Sequence, residues 1–110
     1  MPTYTEITSI PEWEKVLQQS KEKSIVLFKH STTCPVSAAA YREFTSFETE
    51  VDAYLVKVIE SRPVSNEIER VLGVQHKSPQ AFVLTNGEVI WHASHWNITE
   101  KNLTKAMEVK

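Results

Sequence analysis

A chain of 110 residues can bury one core but is too short for two independent ones, so one domain spanning 1–110 with one site is expected. Its 41% hydrophobic and 24% charged content is that of a soluble globular protein, with no apolar run near the roughly 20 residues a membrane span needs. The net charge of −2, with both signs mixed throughout, provides no basic stripe to neutralise phosphates, so neither a membrane nor a nucleic acid is expected as partner.

In chain order, Ser9 and Glu12 form a capping box, Pro11 suits a first helical turn, and Ile10, Trp13, Val16 and Leu17 share a face. A first helix running to about Ser20 follows. Ile25-Val26-Leu27-Phe28 is a short unbroken apolar run, as expected of a central parallel strand buried on both faces. From Cys34 the period changes: Val36, Ala40, Phe44, Phe47 and Val51 recur at three- and four-residue spacing. This predicts a long second helix starting at the cysteine, with Thr32 or Thr33 as N-cap and Pro35 inside the first turn. Tyr54 to Ile59 reads as a strand, and after Arg62-Pro63 a third helix carries Ile68, Val71 and Leu72 and stops at Gly73. Ala81 to Leu84, the turn pair Asn86-Gly87 and Glu88 to Ala93 read as a hairpin. A closing helix beginning near Asn97 or Thr99 should bury Leu103, Ala106 and Met107. The expected order is β-α-β-α-β-α-β-β-α, its leading strand not assigned to particular residues. It describes an α/β fold with a mixed central sheet and helices on both faces.

Cys34 is the only cysteine, which rules out an intramolecular disulfide and leaves too few soft ligands for a structural zinc. A lone thiol suits a reducing compartment, and Met1 to Glu6 lacks the charged and apolar regions of a secretory signal, so a cytoplasmic protein is expected. The triplets Asn97-Ile98-Thr99 and Asn102-Leu103-Thr104 are read as helix-start and helix-surface residues rather than glycosylation sites.

The stretch from Lys29 to Ser37 lies between the carboxyl end of a buried strand and a helix start, where chemistry collects in open α/β sheets. A cysteine there faces unpaired N–H groups and the positive end of the helix dipole, both of which favour the nucleophilic thiolate. The plainer reading is a buried, inert thiol. Thr33 is either a plain N-cap or a hydrogen-bond partner near the thiolate. Ser37 is either a donor to the sulfur or the mark of an absent cysteine. His30 either raises the local positive potential or is a half-exposed strand-end histidine. His92 and His95, three apart on a strand, should point to opposite faces and share no metal with Cys34. Trp13, Trp91 and Trp96 are read as core or rim packing. A Pro79 between polar and apolar segments is by itself a trans turn proline.

The order of elements, Cys34-Pro35-Val36-Ser37 at a helix head, Ser78-Pro79 before the penultimate strand and Asn86-Gly87-Glu88-Val89 in the hairpin together resemble the thioredoxin superfamily over nearly the whole chain. Within it, His30-Ser31-Thr32-Thr33-Cys34-Pro35-Val36-Ser37 followed by Ala38-Ala39-Ala40-Tyr41 resembles the monothiol bacilliredoxins, small proteins associated with the low-molecular-weight thiol bacillithiol. The resemblance implies a thioredoxin-like fold with Cys34 as nucleophile. It also implies a cis Ser78-Pro79 bond beside Cys34, where the Ser78 backbone pairs with an extended substrate. No permanently bound cofactor is implied; bacillithiol is the co-substrate and bacillithiolated client proteins are the partners of a monomer. Thioredoxins carry a second cysteine where this chain has Ser37, so a mixed disulfide on Cys34 must be resolved by an outside thiol. The competing reading is a non-catalytic adaptor that keeps the fold for client binding in the stress response. A Cys-His hydrolase has no support beyond the presence of histidines.

Overall fold

The computed structural model describes residues 4–109. Its elements are β1 (Tyr4–Glu6), α1 (Ile10–Gln19), β2 (Ile25–His30), α2 (Pro35–Ser46), β3 (Asp52–Lys57), α3 (Arg62–Leu72), β4 (Gln80–Thr85), β5 (Glu88–Ser94), a 3₁₀ turn (His95–Asn97) and α4 (Glu100–Val109). The sheet order is β1-β3-β2-β4-β5. β1, β3 and β2 are mutually parallel, β4 runs antiparallel to β2, and β5 antiparallel to β4. The order of elements and the mixed sheet are those expected, and the leading strand is Tyr4–Glu6.

The unbroken apolar run of β2 follows from its central place, because alternate side chains enter two different cores. Val26 and Phe28 join Ala40 and Phe44 of α2, Leu103 and Ala106 of α4, and Ala81 and Val83 of β4. Ile25 and Leu27 join Trp13 and Val16 of α1, Val64 and Ile68 of α3, and Phe82 and Leu84 of β4. The same alternation carries the last two residues of β2 apart: Lys29 continues the α1/α3 side and His30 the α2 side.

Local chemistry explains the boundaries. Ser9 Oγ accepts the Glu12 N–H at 3.3 Å while Glu12 Oε1 accepts the Thr8 N–H at 2.9 Å. Gly73 caps α3 with φ +71°, and Asn86 and Gly87, both with positive φ, form the tight turn of the hairpin. Thr99 Oγ1 accepts the Asn102 N–H at 3.1 Å at the head of α4.

Several expected boundaries move. α2 is capped by Cys34 itself (φ −104°, ψ 123°), not by Thr32 or Thr33, because the residue before a proline is driven out of the helical region and Pro35 is the first helical residue. α2 ends at Ser46; Phe47 turns extended and folds back into the core, leaving Val51 outside the helix. β3 runs from Asp52 to Lys57, not Tyr54 to Ile59, since the chain turns after Val58 and leaves Ile59 half exposed. Ile10 and Val71 sit at the rims of their helices, and Trp96 is 70% exposed rather than packed.

Phe44 fixes α2 to the sheet: it is fully buried and stacked on Phe28 with ring centroids 4.9 Å apart. Phe44→Ala should cost about 3–5 kcal/mol through lost burial and a residual cavity. In urea unfolding that is a large share of the about 5–15 kcal/mol typical of a domain. A change in the urea midpoint no larger than that of an exposed-site alanine would contradict this packing.

Candidate functional site

The site is built on the loop that joins β2 to α2. Ser31 C=O accepts the Cys34 N–H at 3.3 Å, closing the turn, and Cys34 C=O accepts the Ala38 N–H at 2.9 Å, the first bond of the helix. The N–H groups of Val36 and Ser37 thus stand ahead of the first helical bond, at the positive end of the dipole, and Pro35 has none to offer. Cys34 is half-buried, and its side chain makes no capping hydrogen bond.

Ser37 is fully buried, and its hydroxyl is engaged away from the sulfur: Oγ accepts the Ser31 N–H at 2.9 Å and lies 2.8 Å from His30 Nδ1. Of its two readings, the donor to Cys34 is therefore set aside. Thr33 is exposed, with Oγ1 3.5 Å from Ser31 Oγ, and Thr32 Oγ1 donates to Glu60 Oε2 at 3.2 Å.

His30 is not a source of positive potential. It is wedged between Phe28 and Tyr41, stacked on both with ring centroids 5.7 and 4.9 Å away. Burial pushes its imidazole below the ordinary 6.5, the Lys57 ammonium pushes the same way, and Glu60 opposes them, leaving it neutral at neutral pH. The unfolded chain therefore takes up this proton before the folded one does. The associated stability is complete above about pH 6.5 and is lost as pH falls through the lower folded value. His30→Gln should make the fall in urea midpoint between about pH 7.5 and about pH 5 shallower than in the parent. An unchanged slope would show that His30 titrates alike in both states.

The Ser78-Pro79 bond is cis, as the resemblance implies, and Pro79 is buried. Lys29 pairs with Gln80 across β2 and β4, so Pro79 lies at the end of the sheet from which the Cys34 loop departs. Pro79 C=O also accepts the His95 N–H at 3.1 Å, which tethers the exposed His95-Trp96 turn to the same end. His92 is on β5, but His95 lies in the 3₁₀ turn with φ +55°, so the opposite-face argument does not apply to it. Among the described residues no group of three or more His, Cys, Asp or Glu is placed to hold a metal. A cavity of about 560 Å³ beside β5 is lined by Gln75, Lys77, Trp91 and His92, and Cys34 is not among its lining residues. No described helix is long and apolar enough to cross a membrane.

Sequence reasoning missed Tyr41, which packs His30 against α2, and the burial of Lys29. The two-residue alternation of β2, continued past Phe28, was the signal that separates Lys29 from His30.

The family model described as "Monothiol bacilliredoxin BrxC" matches residues 5–103. A solved protein with a thioredoxin fold, described as a candidate oxidoreductase, is 37% identical, with a TM-score of 0.86 over 94% of this chain and 93% of that one. The thioredoxins of Trypanosoma brucei brucei (15% identity, TM-score 0.77, 98% and 90% covered) and Fasciola hepatica (14%, 0.75, 96% and 97%) share the fold. With a single cysteine at the helix head and Ser37 three residues beyond it, the chain belongs to the monothiol bacilliredoxin family, thioredoxin-fold proteins of thiol redox chemistry.

Proposed function

We propose that Cys34 moves bacillithiol between sulfur atoms. The observation that carries this is one partly exposed thiol at the N-cap of α2, with a buried serine where a resolving thiol would stand. The Cys34 thiolate attacks the bacillithiol sulfur of a client mixed disulfide; a new S–S bond joins Cys34 to bacillithiol and the client sulfur leaves as thiolate. A second low-molecular-weight thiol then attacks this disulfide and releases Cys34 as thiolate, carrying bacillithiol away as a disulfide. Electrons balance in both steps, and no bound cofactor enters.

In this reading the Val36 and Ser37 N–H groups stabilise the attacking and leaving thiolate at Cys34. Pro35 fixes the cysteine outside the helix, Thr33 shapes the turn before it, and His30 holds Ser37 in place. Ser78 and Pro79 present backbone to an extended client, and the cytoplasm supplies the regenerating thiol.

The test is intact mass after incubation with bacillithiol disulfide, then with a bacillithiolated protein. One adduct per chain and loss of the modification from the protein are expected, with glutathionylated protein processed more slowly. An unmodified chain that still binds the client would overturn exchange and leave the adaptor reading.

A further inference from the structure

Lys29 is completely buried in the α3-facing side of β2, where its predecessors Ile25 and Leu27 are apolar core. Its Nζ donates to Ser65 C=O of α3 at 3.1 Å and lies 3.1 Å from His76 Nδ1. An ammonium has donors and no acceptor, so His76 meets it with an unprotonated Nδ1 and is neutral. Burial lowers the lysine from 10.5 to about 8 against the pull of Glu69. Burial first, then Lys29 and Arg62, push His76 below its ordinary value, with Glu69 opposing. No carboxylate among the described residues forms an ion pair with this ammonium. A buried charge hydrogen-bonded only to neutral groups, with its nearest carboxylate acting at a distance, costs stability that an apolar side chain of the same length would not.

One of the two bonds that offset part of this cost reaches a segment that other polar side chains also hold. Residues 74–79 connect the Gly73 cap of α3 to β4 and end in Ser78-Pro79. The His76 side chain is held by Lys29 and, at the longer distance of 3.4 Å from the same Nδ1, by Ser65 Oγ, and the His76 N–H donates to Glu69 Oε2 at 2.8 Å. Gln80, also buried, accepts the Lys77 N–H at 3.2 Å and donates to Gln75 C=O at 3.0 Å. Three consecutive residues are thus braced by polar side chains from β2, α3 and β4. Lys29 is the one that also belongs to the strand leading into Cys34.

We propose that Lys29 is a positioning residue: anchored on Ser65, it fixes His76 and so sets the 74–79 segment against the Cys34 loop for docking of a polypeptide client. The role in client exchange rests on the thiol-exchange reading above; the hold on the segment does not.

The test is Lys29→Met, which keeps length and removes donor and charge. Thermal stability should stay level or rise. Amide hydrogen exchange at residues 75–78 should accelerate about tenfold or more. Exchange with a bacillithiolated protein should slow about tenfold, while the rate with the small disulfide dithiodipyridine stays within about twofold. His76→Leu should follow Lys29→Met, and His76→Gln, which keeps an acceptor, should stay near the parent. His76→Leu carries the test alone if Lys29→Met fails to fold. Parent-like protection and client rate in both variants would overturn the proposal. So would a fall of both exchange rates in step with lost stability, which would make Lys29 a structural residue only. If the parent took no adduct at all, the thiol-exchange reading would fail, while hydrogen exchange would still report whether Lys29 holds the segment.

Discussion

Cys34→Ser should abolish mixed-disulfide formation completely and make the protein slightly more stable. The first half follows from sulfur chemistry: Cys34 is the only thiol, and a serine hydroxyl is neither ionised at neutral pH nor a partner for an S–S bond. The second half follows from its place. Cys34 is the N-cap of α2 yet makes no capping bond, while serine is among the best N-cap residues and would accept a Val36 or Ser37 N–H. The gain should be about 0.5–1 kcal/mol in urea unfolding. Intact mass with bacillithiol disulfide should show the parent adduct and none in the variant. A residual adduct would require another nucleophile, and a clear loss of stability would mean that the half-buried sulfur packs more than it reacts. A cap position filled by the weaker capping residue is what a site selected for reactivity rather than stability would show.

The unbroken run Ile25-Val26-Leu27-Phe28 was enough to place β2 centrally, because only a strand with a core on each side has apolar neighbours on both. Asn86-Gly87 and Gly73 were legible because positive φ leaves few residue choices. The cap of α2 was legible too, in the rule that the residue before proline leaves the helix, but the threonines beside it were the commoner capping residues. Ser37 and His30 were singled out, yet their bond to each other depends on which face of β2 His30 meets and on Tyr41 stacking from α2, a tertiary fact. Lys29 was the least legible. A lysine ending an apolar run reads as the strand's exit to solvent, and its burial depends on Ser65 and His76, 36 and 47 positions away. That Trp96 is exposed likewise depends on the 3₁₀ turn that follows β5, for which sequence periodicity carries no signal.

Ser37→Cys should convert a lasting mixed disulfide into a transient one. The N-cap and the third helical residue are neighbours on one turn, as the reciprocal bonds of a capping box require, and their spacing lies within disulfide reach. In the parent, the adduct on Cys34 waits for an outside thiol. In the variant, the new sulfur attacks Cys34 within the chain: a disulfide forms between positions 34 and 37 and bacillithiol leaves as thiolate. The surroundings favour the attack, since the new thiol inherits the Ser31 N–H that now donates to Ser37 Oγ, a donor to a thiolate, and keeps the His30 imidazole beside it. Tethering replaces a dilute outside thiol by an effective concentration of millimolar or more, so the adduct lifetime should shorten about a hundredfold or more. The larger sulfur in a fully buried site should cost stability, by about 1–3 kcal/mol. After a pulse of bacillithiol disulfide and removal of excess reagent, intact mass should follow the parent adduct persisting while the variant passes to a species lacking the adduct and two hydrogens. If the adduct survived as long in the variant as in the parent, the side chain at 37 would be held by His30 and Ser31 too firmly to reach Cys34. The serine would then be a structural fixture of the loop rather than a vacated resolving position.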